Sequence, residues 1–386
     1  MLKNGFKWID SDMHLAEPGD LWDEYIDPKF REIYRHWTRT GPEFNSLLQA
    51  PGEAPRPVVS ATAVLDAPVV NQPHVLGSEE IKERHYQDFL PYVSEGGAVI
   101  LPEGQLRAMD REGIDVAILF PTVGGRGWRE APDDVSLALC RAYNRWLADF
   151  CAADRTRLKM NTLVAIGDVD AAVAELRHVV HDYGAVGVSP GSSRPDVHLE
   201  DPRYEPFWAE AEALDVALTF HGSAQLHLQH RYGDHPIFGH ATGRGIEHPL
   251  AFMELLFSGV FERHPKLRCV FLEAGCSWTV YWLFRFEEEW ERYRETRPDA
   301  RDNVRMPPVD YWKRQCYSGV EVEEWPLKAV VDLLGDKNWV LSSDFPHFDS
   351  AFPHASEKFM ALPGVSDDAK RKILWDNCAR LYKIGE

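Results

Sequence analysis

No C-x-x-C pair occurs among the six cysteines of this 386-residue chain; they stand apart at 140, 151, 269, 276, 316 and 378. That argues against a zinc-thiolate site and points to a reducing, cytoplasmic compartment. Basic residues are in deficit. Lys and Arg number 42 against 61 Asp and Glu, a formal charge of −19. Such a balance repels polyphosphate backbones, so nucleic acid is not an expected partner. Long apolar runs are missing too: the most apolar late stretch, 270–286, is interrupted by Glu273, Gly275 and Arg285, so no membrane span is expected. A secretion-type apolar core is absent from the first residues, where Asp10 and Asp12 come early. What the chain does have is 44% hydrophobic residues, enough to bury the core of one large domain.

Residues 20–100 are irregular, with Pro51, Pro55, Pro57, Pro68 and Pro73 resisting helix. An excursion this long inside a compact domain reads as a lid-like insertion. From residue 103 onward the pattern is regular. Short apolar strands centred near 8, 117, 162, 187, 218, 270, 319 and 341 alternate with segments of helical periodicity. Continuous apolar strands separated by helices predict a parallel sheet covered on its outer face. Eight such units predict an α/β fold, a (β/α)8 TIM barrel formed as a single domain over 1–386, with long insertions after strands one and five. The second insertion is residues 222–245, rich in His, Gly and Gln.

Chemistry-bearing residues fall at one place in that repeat. Asp12 and His14, in WIDSDMHLAEP, are two apart on strand one and point to one side. Alone they could be a turn cap and a surface histidine. Yet His221 ends strand five, Glu273 ends strand six and Asp344 ends strand eight. Barrel enzymes place their chemistry where strands end. Two further histidines join the candidates. His248 opens the helix before strand six; its alternative role is a hydrogen bond to the backbone. His347 follows Asp344 by three; its alternative role is to support Asp344. Glu273 has its own alternative, an ion pair with an arginine such as Arg285. Asp12, His14, His221, His248, Glu273, Asp344 and His347 thus form the candidate metal-ligand set. Imidazole and carboxylate without thiolate suit iron, manganese or zinc.

These motifs resemble the amidohydrolase superfamily, in the branch of aminocarboxymuconate semialdehyde decarboxylase. The matching pieces are Asp12-x-His14 followed by Glu17-Pro18, His221 in TFHGS, and Asp344 in SSDFPH; FLEAGCSW and WDNCARLY are also similar to amidohydrolase-related proteins. The resemblance implies one metal held by strand-one residues, the strand-five histidine and the strand-eight aspartate. It also implies a strand-six histidine as general acid/base, where this chain has Glu273. With the seven-residue set, the chain resembles more closely the TIM-barrel nonheme diiron monooxygenases. That finer resemblance implies two Fe ions (or an Fe/Mn pair), O2 as co-substrate, an external electron donor, and a homodimer. The reaction would be hydroxylation of an unactivated C–H bond in a bulky apolar acid or its CoA thioester, in biosynthesis. The alternative expectation is a hydrolase or decarboxylase with a single Zn or Mn; a degenerate, non-catalytic barrel is a third.

Overall fold

The computed structural model describes residues 5–15, 17, 21–32, 101–122, 131–191, 198–221, 236–347 and 350–385. Of the stretch 20–100 read as a lid-like insertion, residues 21–32 hold the short helices Leu21–Tyr25 and Pro28–Phe30, and the rest, like 222–235, lies outside this set. Eight parallel strands pair in chain order: β1 (Ile9–Leu15), β2 (Val116–Pro121), β3 (Leu158–Val164), β4 (Gly187–Pro190), β5 (Ala217–His221), β6 (Arg268–Leu272), β7 (Cys316–Val320) and β8 (Trp339–Leu341). Helices between them form the outer layer, including Pro102–Glu112, Asp133–Cys151, Val169–His178, Glu205–Ala213, Trp278–Tyr293 and Leu327–Leu334. This is the expected (β/α)8 barrel.

The circle closes between β8 and β1 through hydrogen bonds that also set the site. His14 N donates to Phe345 O at 2.7 Å and Asp344 N to Asp12 O at 3.1 Å. Ser11 Oγ donates to Leu341 O at 2.9 Å. Asp10 accepts from Ser343 N at 3.1 Å and Ser343 Oγ at 2.5 Å.

A register shift between Asp10 and Met13 interrupts the alternation of β1. Below it, Ile9 packs with Val116, Ile118, Phe120 and Val270, which line the barrel. Above it, Met13 and Leu15 join the outer apolar layer, which leaves Asp12 and His14 facing the mouth. The opposite end is plugged by the last helix, Asn377–Tyr382, whose Cys378, Leu381 and Tyr382 pack on that lining group. Gly187 is required there: a Cβ on it would stand 3.1 Å from the Tyr382 ring and 2.5 Å from Asn161 Oδ1. Between plug and mouth, Asn161, Ser189 and Thr219 close a triangle of hydrogen bonds at 2.7–2.8 Å, so these three groups satisfy one another.

Pro298–Asn303, Pro308–Gln315 and Ala355–Ala361 are helices with no sequence reading, and another helix begins well before its own. Periodicity starts it at Glu247, yet it runs over Pro236–Phe257. Gly239, Gly243, Gly245 and Pro249 lower the intrinsic helix propensity of that stretch, so local reading makes its first half a loop. Gly259, at φ 83°, then breaks it from the short Val260–Arg263 turn.

Candidate metal centre

The ends of β1, β5, β6 and β8 bring six of the seven candidate side chains to one mouth. At the centre is His14 Nε2. It lies 3.1 Å from His221 Nε2, 3.3 Å from Asp12 Oδ1 and 3.3 Å from Asp344 Oδ1. His221 Nε2 is in turn 3.2 Å from Asp12 Oδ2. Donors around a single cation, each about 2.0–2.2 Å from it, sit roughly 3 Å apart, which is the spacing here. His14 is fixed from behind: its Nδ1 donates to Pro121 O at 2.9 Å, and Gln105 Nε2 donates to His14 O at 3.3 Å. The Nδ1 bond sets the tautomer and leaves Nε2 as the lone-pair atom facing the carboxylates. His221 stacks on Phe120, with ring centroids 5.1 Å apart.

The electrostatics call for positive charge at the centre. Asp12 is fully buried, and neither of its oxygens has a hydrogen-bond partner; Asp344 Oδ1 also lacks a proper hydrogen bond, although His347 Nδ1 stands 2.7 Å away. Burial alone would raise the Asp12 carboxyl, but the His221 and His14 imidazoles outweigh it and hold it at about 2. Burial would lower His14, and the Asp12 and Asp344 carboxylates reverse that and push it well above the ordinary histidine range. Burial dominates at His221 and depresses it, against the pull of Asp12. Two ionised carboxylates aimed at two imidazole nitrogens fit a divalent cation in the proton's place.

The remaining candidates divide. Glu273 Oε2 meets the outer nitrogen of His221, Nδ1, at 3.4 Å, and its Oε1 lies 3.8 Å from His347 Nδ1. It stands beside the cluster around His14 rather than within it. The two compact ligand groups among the described residues are Asp12, His14 and His221, and His14, Asp344 and His347. They share one His14 nitrogen. His347 also packs its ring 4.0 Å from that of His14. His248 is not brought to the cluster: its Nε2 donates to Leu272 O at 2.5 Å, the backbone role open to it from the start. Arg285, the alternative partner for Glu273, is engaged with Glu288 and Glu289 on its own helix.

Sequence reasoning did not single out Asp10 or Gln105. Asp10 is wholly buried, which pushes its carboxyl up to about 8 despite the bonds from Ser343. A carboxylate opening an apolar strand was the available signal. Gln105 gave none, since it lies on a helix of ordinary amphipathic pattern.

A parallel eight-stranded barrel with imidazole and carboxylate groups able to hold a metal at the ends of its first, fifth and eighth strands is the arrangement of an amidohydrolase-type centre. The chain belongs to the amidohydrolase family, whose model matches residues 9–384. It is 30% identical over 299 residues to gamma-resorcylate decarboxylase of Rhodococcus jostii (strain RHA1), covering 72% of this chain and 87% of that one. In fold it is similar to 5-carboxyvanillate decarboxylase from Sphingomonas paucimobilis, with a TM-score of 0.72, 18% identity, and 98% and 100% of the two chains covered. It is also similar to dihydroxybenzoic acid decarboxylase from Polaromonas sp. JS666 with bound manganese and 2-nitroresorcinol, with a TM-score of 0.67, 20% identity, and 99% and 98% covered.

These relatives correct the expectation of a diiron monooxygenase. The curated relatives are decarboxylases and one hydratase, so oxygenase chemistry with two Fe ions, O2 and a CoA-linked substrate is not supported. The geometry agrees, because Glu273 braces the outer side of His221 and a single His14 nitrogen serves both ligand groups. The superfamily holds; the finer resemblance does not. No helix among the described residues is long and apolar enough to cross a membrane.

Proposed function

We propose that this chain is a metal-dependent decarboxylase acting on a hydroxylated aromatic carboxylic acid, with one divalent cation of the manganese type. Asp12, His14, His221 and Asp344 would hold it. The observation that carries the reading is the pair of carboxylates, buried Asp12 and largely buried Asp344, that converge on His14 Nε2, with Asp12 also facing His221 Nε2. When bound, the cation would draw charge from substrate carboxylate or phenolate oxygens.

The protein's own groups do the rest. Glu273 beside Nδ1 of His221 keeps Nε2 directed inward. Phe120 under the same ring supplies an apolar wall that excludes water. Loss of CO2 leaves a ring carbon that must take up a proton. The strand-six histidine implied by the resemblance is Glu273 here, and a carboxylate is a poorer proton shuttle near neutral pH. This reading assigns the delivery to His347, the most exposed imidazole of the group at 23%, with Nδ1 between Asp344 and Glu273.

The test is CO2 release from 2,6-dihydroxybenzoate and 5-carboxyvanillate by protein loaded with Mn(II), with and without air. Activity that survives anaerobic conditions, disappears with a chelator and returns with Mn(II) is expected. Fully metal-loaded protein that releases no CO2 from any hydroxybenzoate overturns the reading.

A further inference from the structure

The turn that follows β6 carries backbone conformations that side-chain-bearing residues seldom adopt. Glu273 has φ 66° and Gly275 φ 65°. A left-handed glutamate is strained and persists only where neighbouring structure over-determines it. Here it is over-determined from three directions. His248 donates to Leu272 O. Ser318, buried on β7, donates its hydroxyl to Phe271 O at 3.2 Å and Gly275 O at 2.9 Å.

The third group is Glu324, from the loop after β7. Its carboxylate accepts from Cys276 N at 2.9 Å, from Ser277 N at 2.8 Å, and from Ser277 Oγ. Ser277 is the residue before the Trp278–Tyr293 helix, and its hydroxyl makes no capping bond to that helix. Glu324 binds the two residues that lead into this helix, with its negative charge at the helix's positive end. Gly275 is what lets it in: a Cβ there would lie 2.8 Å from Glu324 Oε1. The side chain one residue further, Trp325, is 85% exposed.

We propose that Glu324 is a positioning residue for the metal centre: by clamping Cys276 and Ser277 it holds the strained Glu273 turn, and so keeps the Glu273 carboxylate against Nδ1 of His221. The inference rests on the single-cation reading above, but not on the identity of the substrate. It reaches the site through one side chain, so its effect should depend on that side chain.

The experiment is a double-mutant cycle read by Mn(II) affinity, with free Mn(II) followed by its electron paramagnetic resonance signal. Groups that orient a metal-binding histidine are worth about 10- to 100-fold in metal affinity. Glu324→Gln is expected to weaken Mn(II) binding about tenfold, and Glu273→Gln by a similar factor or more. The combined variant is expected to bind no more weakly than Glu273→Gln alone, because the clamp has nothing left to position. Glu323→Ala, which removes an exposed ion pair with Lys358, is the control and should bind as wild type. Wild-type affinity in Glu324→Gln, or losses that simply multiply in the combined variant, overturns the proposal. Should Glu324→Gln yield no folded protein, Ser277→Ala removes one donor and enters the same cycle: a few-fold loss that disappears in the Glu273→Gln background supports the proposal, and unchanged affinity overturns it. Wild-type protein that binds Mn(II) but releases no CO2 overturns the decarboxylase reading alone, while protein that takes up no Mn(II) overturns both.

Discussion

Asp12 shows what one residue does here and how much of it could be read in advance. Its spacing from His14 and its place at a strand end marked it as a candidate ligand; its burial and its lack of hydrogen bonds support that reading. Replacing it with asparagine keeps the shape and removes the charge that both imidazoles face. Asp12→Asn is expected to lower Mn(II) affinity by roughly 100-fold or more while the protein stays folded, as measured by metal titration beside circular dichroism. His248 shows the limit of such reading. A histidine near a strand end satisfies a motif, but whether it turns to the mouth or to a carbonyl is settled by helix packing that spacing does not encode. The cysteines give a second expectation at this scale. All six are free and buried. Burial pushes the Cys151 thiol up to about 12, and Cys269 and Cys316 also go up. Little thiolate is then present at pH 8, and a disulfide-exchange reagent should react with none of the six in the native protein and with all six in denaturant.

Among the elements, the strands were legible and several helices were not: Pro298–Asn303, Pro308–Gln315 and Ala355–Ala361 had no reading. Apolar runs of strand length gave β5, β6 and β8 to within about two residues, because buried parallel strands have no polar face to blur them. The Pro236–Phe257 helix was half hidden, since its glycines are poor helix formers and tertiary structure outweighs them. The strained turn after β6 was not legible at all. Nothing local marks Glu324 as its partner, 47 and 48 positions along the chain from the two residues it holds. The outer helices offer a pH test. Glu205 accepts two bonds from Arg263, at 2.8 and 2.7 Å, and one from His264 at 2.9 Å, joining two elements. The Arg263 bonds hold its carboxyl below the usual range, against burial, with His264 adding to them. A depressed folded-state value means stability that is present above the unfolded value near 4.5 and lost as pH falls through the folded one. Glu205→Gln should therefore lower the melting temperature slightly at pH 7, by about 0.5 kcal/mol or less in stability given solvent screening, and flatten its fall below pH 5.

For the whole molecule, the count of apolar units sufficed to predict a barrel, and the common position of polar residues within each unit sufficed to find its working end. The plug at the other end was less visible: a closing helix was expected, but not that it would seal the barrel. Tyr382 and Leu381 are 2% and 0% exposed against the barrel lining. Tyr382→Ala should cost about 3–5 kcal/mol, read as a shift of the denaturant midpoint, because it empties a ring-sized volume that Gly187 leaves open.

The seam between β8 and β1 has a consequence for how the protein is made. During synthesis β1 can pair with β2 early, but its other margin stays raw until the final strand has left the ribosome. Asp10, Ser11 and His14 would wait there without Ser343, Leu341 and Phe345. A nascent chain halted before residue 339 would carry two open sheet margins, the shape most prone to sticking to its neighbours, so this enzyme should lean on chaperones until its last segment arrives.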